Sequence, residues 1–149
     1  MDFRKLINND LVKLGRAADM LWLNFGDYAI HFQCQWRFVQ GGNKILLASH
    51  DIYNPYDESL EYDNEWNWDV FGRKKEQCSV FDVRSMEFAN DFLPLKINHI
   101  CYEGTYDLHI VFDKGVIFDT FITVSTRREF YRFLDFCLNQ HTVIFDEQT

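Results

Sequence analysis

The chain is short of proline, glycine, positive charge and long apolar runs, and each shortage removes a class of protein. Two prolines and seven glycines in 149 residues are too few for a disordered or collagen-like chain. No run approaches the roughly 20 apolar residues that a membrane-spanning helix needs. The start, residues 1–13, is polar and amphipathic where a secretion signal would carry an apolar centre, so a cytoplasmic location is expected. The four cysteines, Cys34, Cys78, Cys101 and Cys137, lie far apart without a C-x-x-C pair, which argues against a zinc knuckle or a dithiol redox site. Fifteen Lys and Arg against twenty-three Asp and Glu give a formal charge of -8. Nucleic acid and anionic membrane are poor partners for such a chain, because binding polyphosphate requires a cationic surface. A basic protein is a better one.

What the chain does have is material for a core. Hydrophobic residues make up 47% and aromatics 17%, with fifteen Phe, which suits a single domain over 1–149 that needs neither disulfide nor structural metal. Strands are expected at 11–17, 20–25 and 28–39, with Gly26 and Asp27 as a tight turn. In the third strand Ile30, Phe32, Cys34, Trp36 and Phe38 alternate with His31, Gln33, Gln35, Arg37 and Val39, and a period of two is the mark of a half-buried strand. Gln40 to Asn43, with two glycines, reads as a hairpin turn into a returning strand at 44–49. After a short helix at 79–92, with Val83, Met86 and Ala89 or Asn90 on its buried side, strands resume at 95–102, 106–112 and 116–124. Thr126 and Glu129 have capping-box spacing, and Phe130, Phe133, Leu134, Cys137 and Leu138 follow at helical intervals, which predicts a C-terminal helix. A last strand is expected at 142–145. The fold class is therefore α+β, mostly antiparallel: a strongly twisted sheet or half-barrel of two meanders with the C-terminal helix packed on it. Cys34, Cys101 and Cys137 fall on apolar faces of these elements and read as small buried hydrophobes.

Tests for chemistry come out negative. His31, Cys34, His50 and Asp51 are close in sequence, but residues three apart on a strand point to opposite faces, so no metal is expected. Cys34 and Cys101 sit in apolar rows, a poor setting for a thiolate nucleophile. There is no phosphate loop, dinucleotide fingerprint or nucleophile elbow, and no cofactor is expected. Asp107, Asp113 and Asp119 read as acids at strand ends and on solvent faces. Two polar features remain. The first is the strand face carrying His31, Gln33 and Arg37, with His50 nearby, a possible ligand face. The second is the acidic, aromatic-rich excursion at 51–77, where Tyr53, Tyr56, Tyr62, Trp66, Trp68 and Asp69 have the character of interface anchors.

The stretches Gly15-Arg16-Ala17-Ala18-Asp19-Met20-Leu21-Trp22-Leu23-Asn24-Phe25-Gly26, His31-Phe32-Gln33-Cys34-Gln35-Trp36-Arg37, Ser49-His50-Asp51-Ile52-Tyr53, Trp68-Asp69-Val70, Phe81-Asp82 and Glu129-Phe130-Tyr131-Arg132-Phe133 resemble, in the same order, a family of small bacterial proteins with no assigned activity. The resemblance implies a shared fold and carries over no catalytic residue. By analogy of class, small acidic bacterial domains of this kind include immunity partners of toxins. The expected function is a non-enzymatic protein-interaction domain, of the immunity type that neutralises a basic toxin through the 51–77 segment. The alternative is a small-molecule or peptide-binding module using the face around His31, Arg37 and His50. An uncovered edge strand would also allow a homodimer.

Overall fold

A computed structural model describes residues 3–56, 79–102, 104–123, 125 and 128–145, without the side chains of 141 and 143–145. Among these, ten strands form two antiparallel five-stranded sheets, accompanied by one α-helix. The strands are β1 Lys13–Ala17, β2 Met20–Asn24, β3 Tyr28–Phe32, β4 Gln35–Gln40, β5 Lys44–Ala48, β6 Ile97–Tyr102, β7 Leu108–Phe112, β8 Val116–Phe121, β9 Glu129–Asp135 and β10 Gln140–Phe145. The first sheet runs β1-β2-β3-β9-β10 and the second β5-β4-β8-β7-β6. The mostly antiparallel α+β class expected from the sequence is what the chain adopts, divided into two packed sheets. No described helix is long and apolar enough to cross a membrane.

The expected strand at 28–39 is two strands. Its alternation holds throughout, with Ile30, Phe32, Trp36 and Phe38 all buried, but the chain bends at Gln33 and Cys34 and passes from the first sheet to the second. Strands that switch sheets at a bend make the corners of packed-sheet folds. The chain returns to the first sheet between β8 and β9. Aromatic side chains meet between the sheets: Phe32 of β3 meets Phe118 of β8 at 5.0 Å between ring centres, and within the second sheet Trp36 of β4 stacks on Phe118 at 6.2 Å. These rings belong to one cluster of buried residues drawn from both sheets.

The C-terminal helix is a correction. Residues 129–135 form β9, an inner strand hydrogen-bonded to β3 on one side and β10 on the other. Tyr131, Phe133 and Asp135 are buried, while Arg132 and Leu134 between them are only half-buried. The same residues satisfy both a helical and a two-residue period, and pairing to β3 decides between them, because it satisfies the backbone while burying the aromatics. Cys137 and Leu138, expected on a helix face, lie exposed in the turn to β10. Glu129 grips Arg132 instead of capping a helix. Thr126 lies outside the described residues. Cys137 is thus no buried hydrophobe, and Cys34 and Cys101 are only half-buried.

The expected helix at 79–92 exists as α1, Val80–Phe92. Ser79 caps it, its hydroxyl accepting from the Asp82 N–H at 3.2 Å while the Asp82 carboxylate accepts from the Ser79 N–H at 3.0 Å. Its buried face is Phe81 and Phe88, not Met86, which is 69% exposed; Val83 and Ala89 are half-buried and Asn90 is exposed. The helix packs against β1 and β5, an outer strand of each sheet, with Phe81 against Trp36 and Phe88 against Phe38.

Candidate functional site

The bend at Gln33 and Cys34 creates the described cleft of most interest. The stretch 33–35 is tied to the start of β9 by two hydrogen bonds, from the Gln33 and Cys34 N–H groups to the Phe130 carbonyl at 2.9 and 3.2 Å. It is tied to the short 3₁₀ turn Ser49–Ile52 by the Trp36 N–H, which donates to Ser49 Oγ at 3.3 Å. The space between the two attachments is a cleft of about 200 Å³. It is lined by Asp19, by residues 33–35, by Ser49, His50 and Tyr53, and by Ile122, Thr123 and residues 128–130.

The lining is held by local chemistry. The Asp51 carboxylate accepts from the Ala48 N–H at 2.9 Å and closes the 3₁₀ turn. Tyr53 donates its hydroxyl to Asp19 Oδ2 at 3.2 Å and meets the His50 ring edge-on at 5.9 Å. Partial burial, with the Asp19 carboxylate adding to it, raises the Tyr53 phenol above its ordinary value, so it stays a donor at neutral pH. Both Glu129 oxygens accept from Arg132, at 2.9 and 3.1 Å. The Asp107 carboxylate accepts from the Ile122 N–H at 2.7 Å.

Cys34 lies in this cleft as a neutral thiol. Burial pushes it up to about 12, the backbone N–H lowering it and the Asp107 carboxylate raising it again. A thiol with that value supplies almost no thiolate near neutrality. Among the described residues no group of three or more His, Cys, Asp and Glu side chains is placed to hold a metal ion.

The expected ligand face is split by the bend. Gln33 and His50 line the cleft. His31 lies on the first sheet, between Trp22 on β2 and Arg132 on β9. Arg37 lies on the second sheet, opposite Asp119 and 5.0 Å from the centre of the Phe121 ring. Asp119 in turn pairs with His109 on β7, and Asp113 accepts from the Lys96 N–H, so the three acids singled out in the sequence serve separate local roles. Of the expected interface anchors, Tyr53 is 45% and Tyr56 59% exposed. Tyr62, Trp66, Trp68 and Asp69 lie outside the described residues.

Sequence reasoning missed Asp19, Ser49, Thr123, Arg128, Glu129 and Phe130 as lining residues. One signal was present: a strand of twelve residues is longer than the usual 3–10, and the two glutamines flanking Cys34 mark its middle as the place to bend. The chain matches no family model, no curated protein and no solved structure. What the cleft can do therefore follows from its own geometry.

Proposed function

We propose that this chain is a non-enzymatic binding module whose cleft at the sheet-crossing corner holds a small polar ligand. The observation that carries this reading is convergence: residues distant in sequence, 33–35, then Ser49, His50 and Tyr53, then 122–123 with 128–130, meet around one concavity. Its lining mixes amides, hydroxyls, a histidine and a few apolar surfaces, the composition that orients small ligands. The neutral Cys34 thiol supports binding over nucleophilic chemistry. The test is an amide NMR titration of the intact chain with a mixture of small polar fragments. Saturable shifts clustered at Gln33, Ser49, His50 and Thr123, lost in the His50→Ala variant, are expected. Shifts scattered over the surface, or none at millimolar fragment, would remove the cleft from consideration.

A second reading is favoured by Tyr53 and Tyr56, both exposed at the start of the acidic segment, and by the charge of -8. Here that segment docks a basic protein partner, an immunity-type partner of a toxin being one form, with charge speeding encounter and aromatics supplying affinity. Arginine-rich peptides serve as the probe. This reading requires capture that falls as salt is raised and falls again in a Tyr53→Ala, Tyr56→Ala variant; capture indifferent to both changes removes it.

A further inference from the structure

Resting on the cleft reading, we infer that the ligand is a zwitterion of amino-acid size, its carboxylate on Arg128 and its ammonium on Asp19. The argument is an accounting of which charged groups in the cleft are already engaged. Glu129 is spent on both oxygens, held by the Arg132 guanidinium. Asp19 accepts from Tyr53 through Oδ2 alone, which leaves its other oxygen for a donor. Arg128 is exposed and has no ion-pair or hydrogen-bond partner among the described residues. The charges left over are therefore one guanidinium and one half-used carboxylate. Both line the cleft, Asp19 beside Tyr53, whose hydroxyl it accepts from, and Arg128 directly before β9.

A ligand carrying only negative charge would satisfy Arg128 but meet Asp19, and a purely cationic one would meet Arg128. A molecule bearing both charges meets each with its opposite, and like-charge juxtaposition is what excludes the others. Guanidinium binds carboxylate in a two-pronged geometry, and Tyr53 beside Asp19 offers an aromatic surface to the ammonium. The volume of about 200 Å³ is that of a single amino acid rather than of a longer peptide.

The test titrates the intact chain, by calorimetry and amide NMR, with leucine, leucine amide, N-acetyl-leucine and N-acetyl-leucine amide. Leucine is expected to bind at the cleft about tenfold or more tightly than any capped form, the loss that removing a charge-assisted contact brings. Arg128→Gln should erase the advantage of leucine over leucine amide, and Asp19→Asn its advantage over N-acetyl-leucine. Both positions are exposed, so the variants should fold. Leucyl-leucine separates two sources: tighter binding than leucine assigns the site to dipeptides, weaker binding to free amino acids. Equal binding of the doubly capped compound at the cleft overturns the inference and leaves the cleft reading intact. Silence from all four compounds also overturns it, and only silence from the polar fragment mixture as well brings down the cleft reading.

Discussion

His31 shows how one side chain is governed by the row it stands in. Gly15, Trp22, His31 and Arg132 are successive cross-strand neighbours over β1, β2, β3 and β9. The indole of Trp22 lies so close over Gly15 that a Cβ there would come within 2.4 Å of its ring. Burial lowers the imidazole below its ordinary value of 6.5, the Arg132 guanidinium lowers it further, and the Glu129 carboxylate partly opposes them. A histidine held neutral in the folded chain takes up its proton on unfolding, so acidification below 6.5 favours the unfolded state and stability rises with pH across that window. The His31→Gln variant should lose less stability than the parent between about pH 7 and pH 5, read from urea midpoints at both values. Equal losses would mean that the row leaves the imidazole as free as in water.

At the scale of the element, α1 depends on Asp82 twice. The carboxylate closes the capping box with Ser79 and takes Arg16 of β1 in two hydrogen bonds of 2.9 Å each. Burial raises this carboxyl, but Arg16 and the Ser79 N–H more than reverse the effect and hold it below its ordinary 3.8. Its contribution is therefore complete above pH 3.8 and is lost as pH falls through the lowered value. Asp82→Asn should cost about 1–3 kcal/mol at neutral pH, measured by urea unfolding, and should flatten the acid limb of the stability profile; a cost below about 0.5 kcal/mol would place the docking of α1 in Phe81 and Phe88 alone. The capping residues were not singled out in the sequence, yet the helix itself was legible there, as were the hairpins around Gly26, Gly41 and Gly115, because turn chemistry and alternation are local properties. β9 was not legible. Phe130, Phe133 and Leu134 fit a helix face as well as a strand, and what selects the strand is β3, nearly a hundred residues earlier in the chain. Of the polar face expected from the sequence, Gln33 and His50 come to line the cleft while His31 and Arg37 stand on separate sheets, because a sheet face seems continuous in sequence when the strand beneath it bends into another sheet.

Across the whole molecule, the two sheets are joined through shared rings more than through shared strands. Phe118 lies at the centre of this joint, touching Phe32 of the first sheet and Trp36 and Phe38 of the second at centre distances of 5.0, 6.2 and 4.7 Å. Three residues on along the same strand, Phe121 points outward and is 38% exposed. The same substitution at the two positions separates core cohesion from loss of aromatic surface. Phe118→Ala should cost about 3–5 kcal/mol, whereas Phe121→Ala should cost about 1 kcal/mol or less. Trp36, one of four tryptophans, is buried against both Phe118 and Phe81, so the part of the fluorescence change that a Trp36→Phe control removes follows the joint, whereas far-ultraviolet circular dichroism follows the strands of both sheets. One shared core requires the two signals to change at the same denaturant concentration in the parent. In Phe118→Ala they should move together to a lower midpoint. A variant whose fluorescence changes well before its circular dichroism would show that each sheet holds its strands without the other, and that the rings between them add packing but not cooperativity.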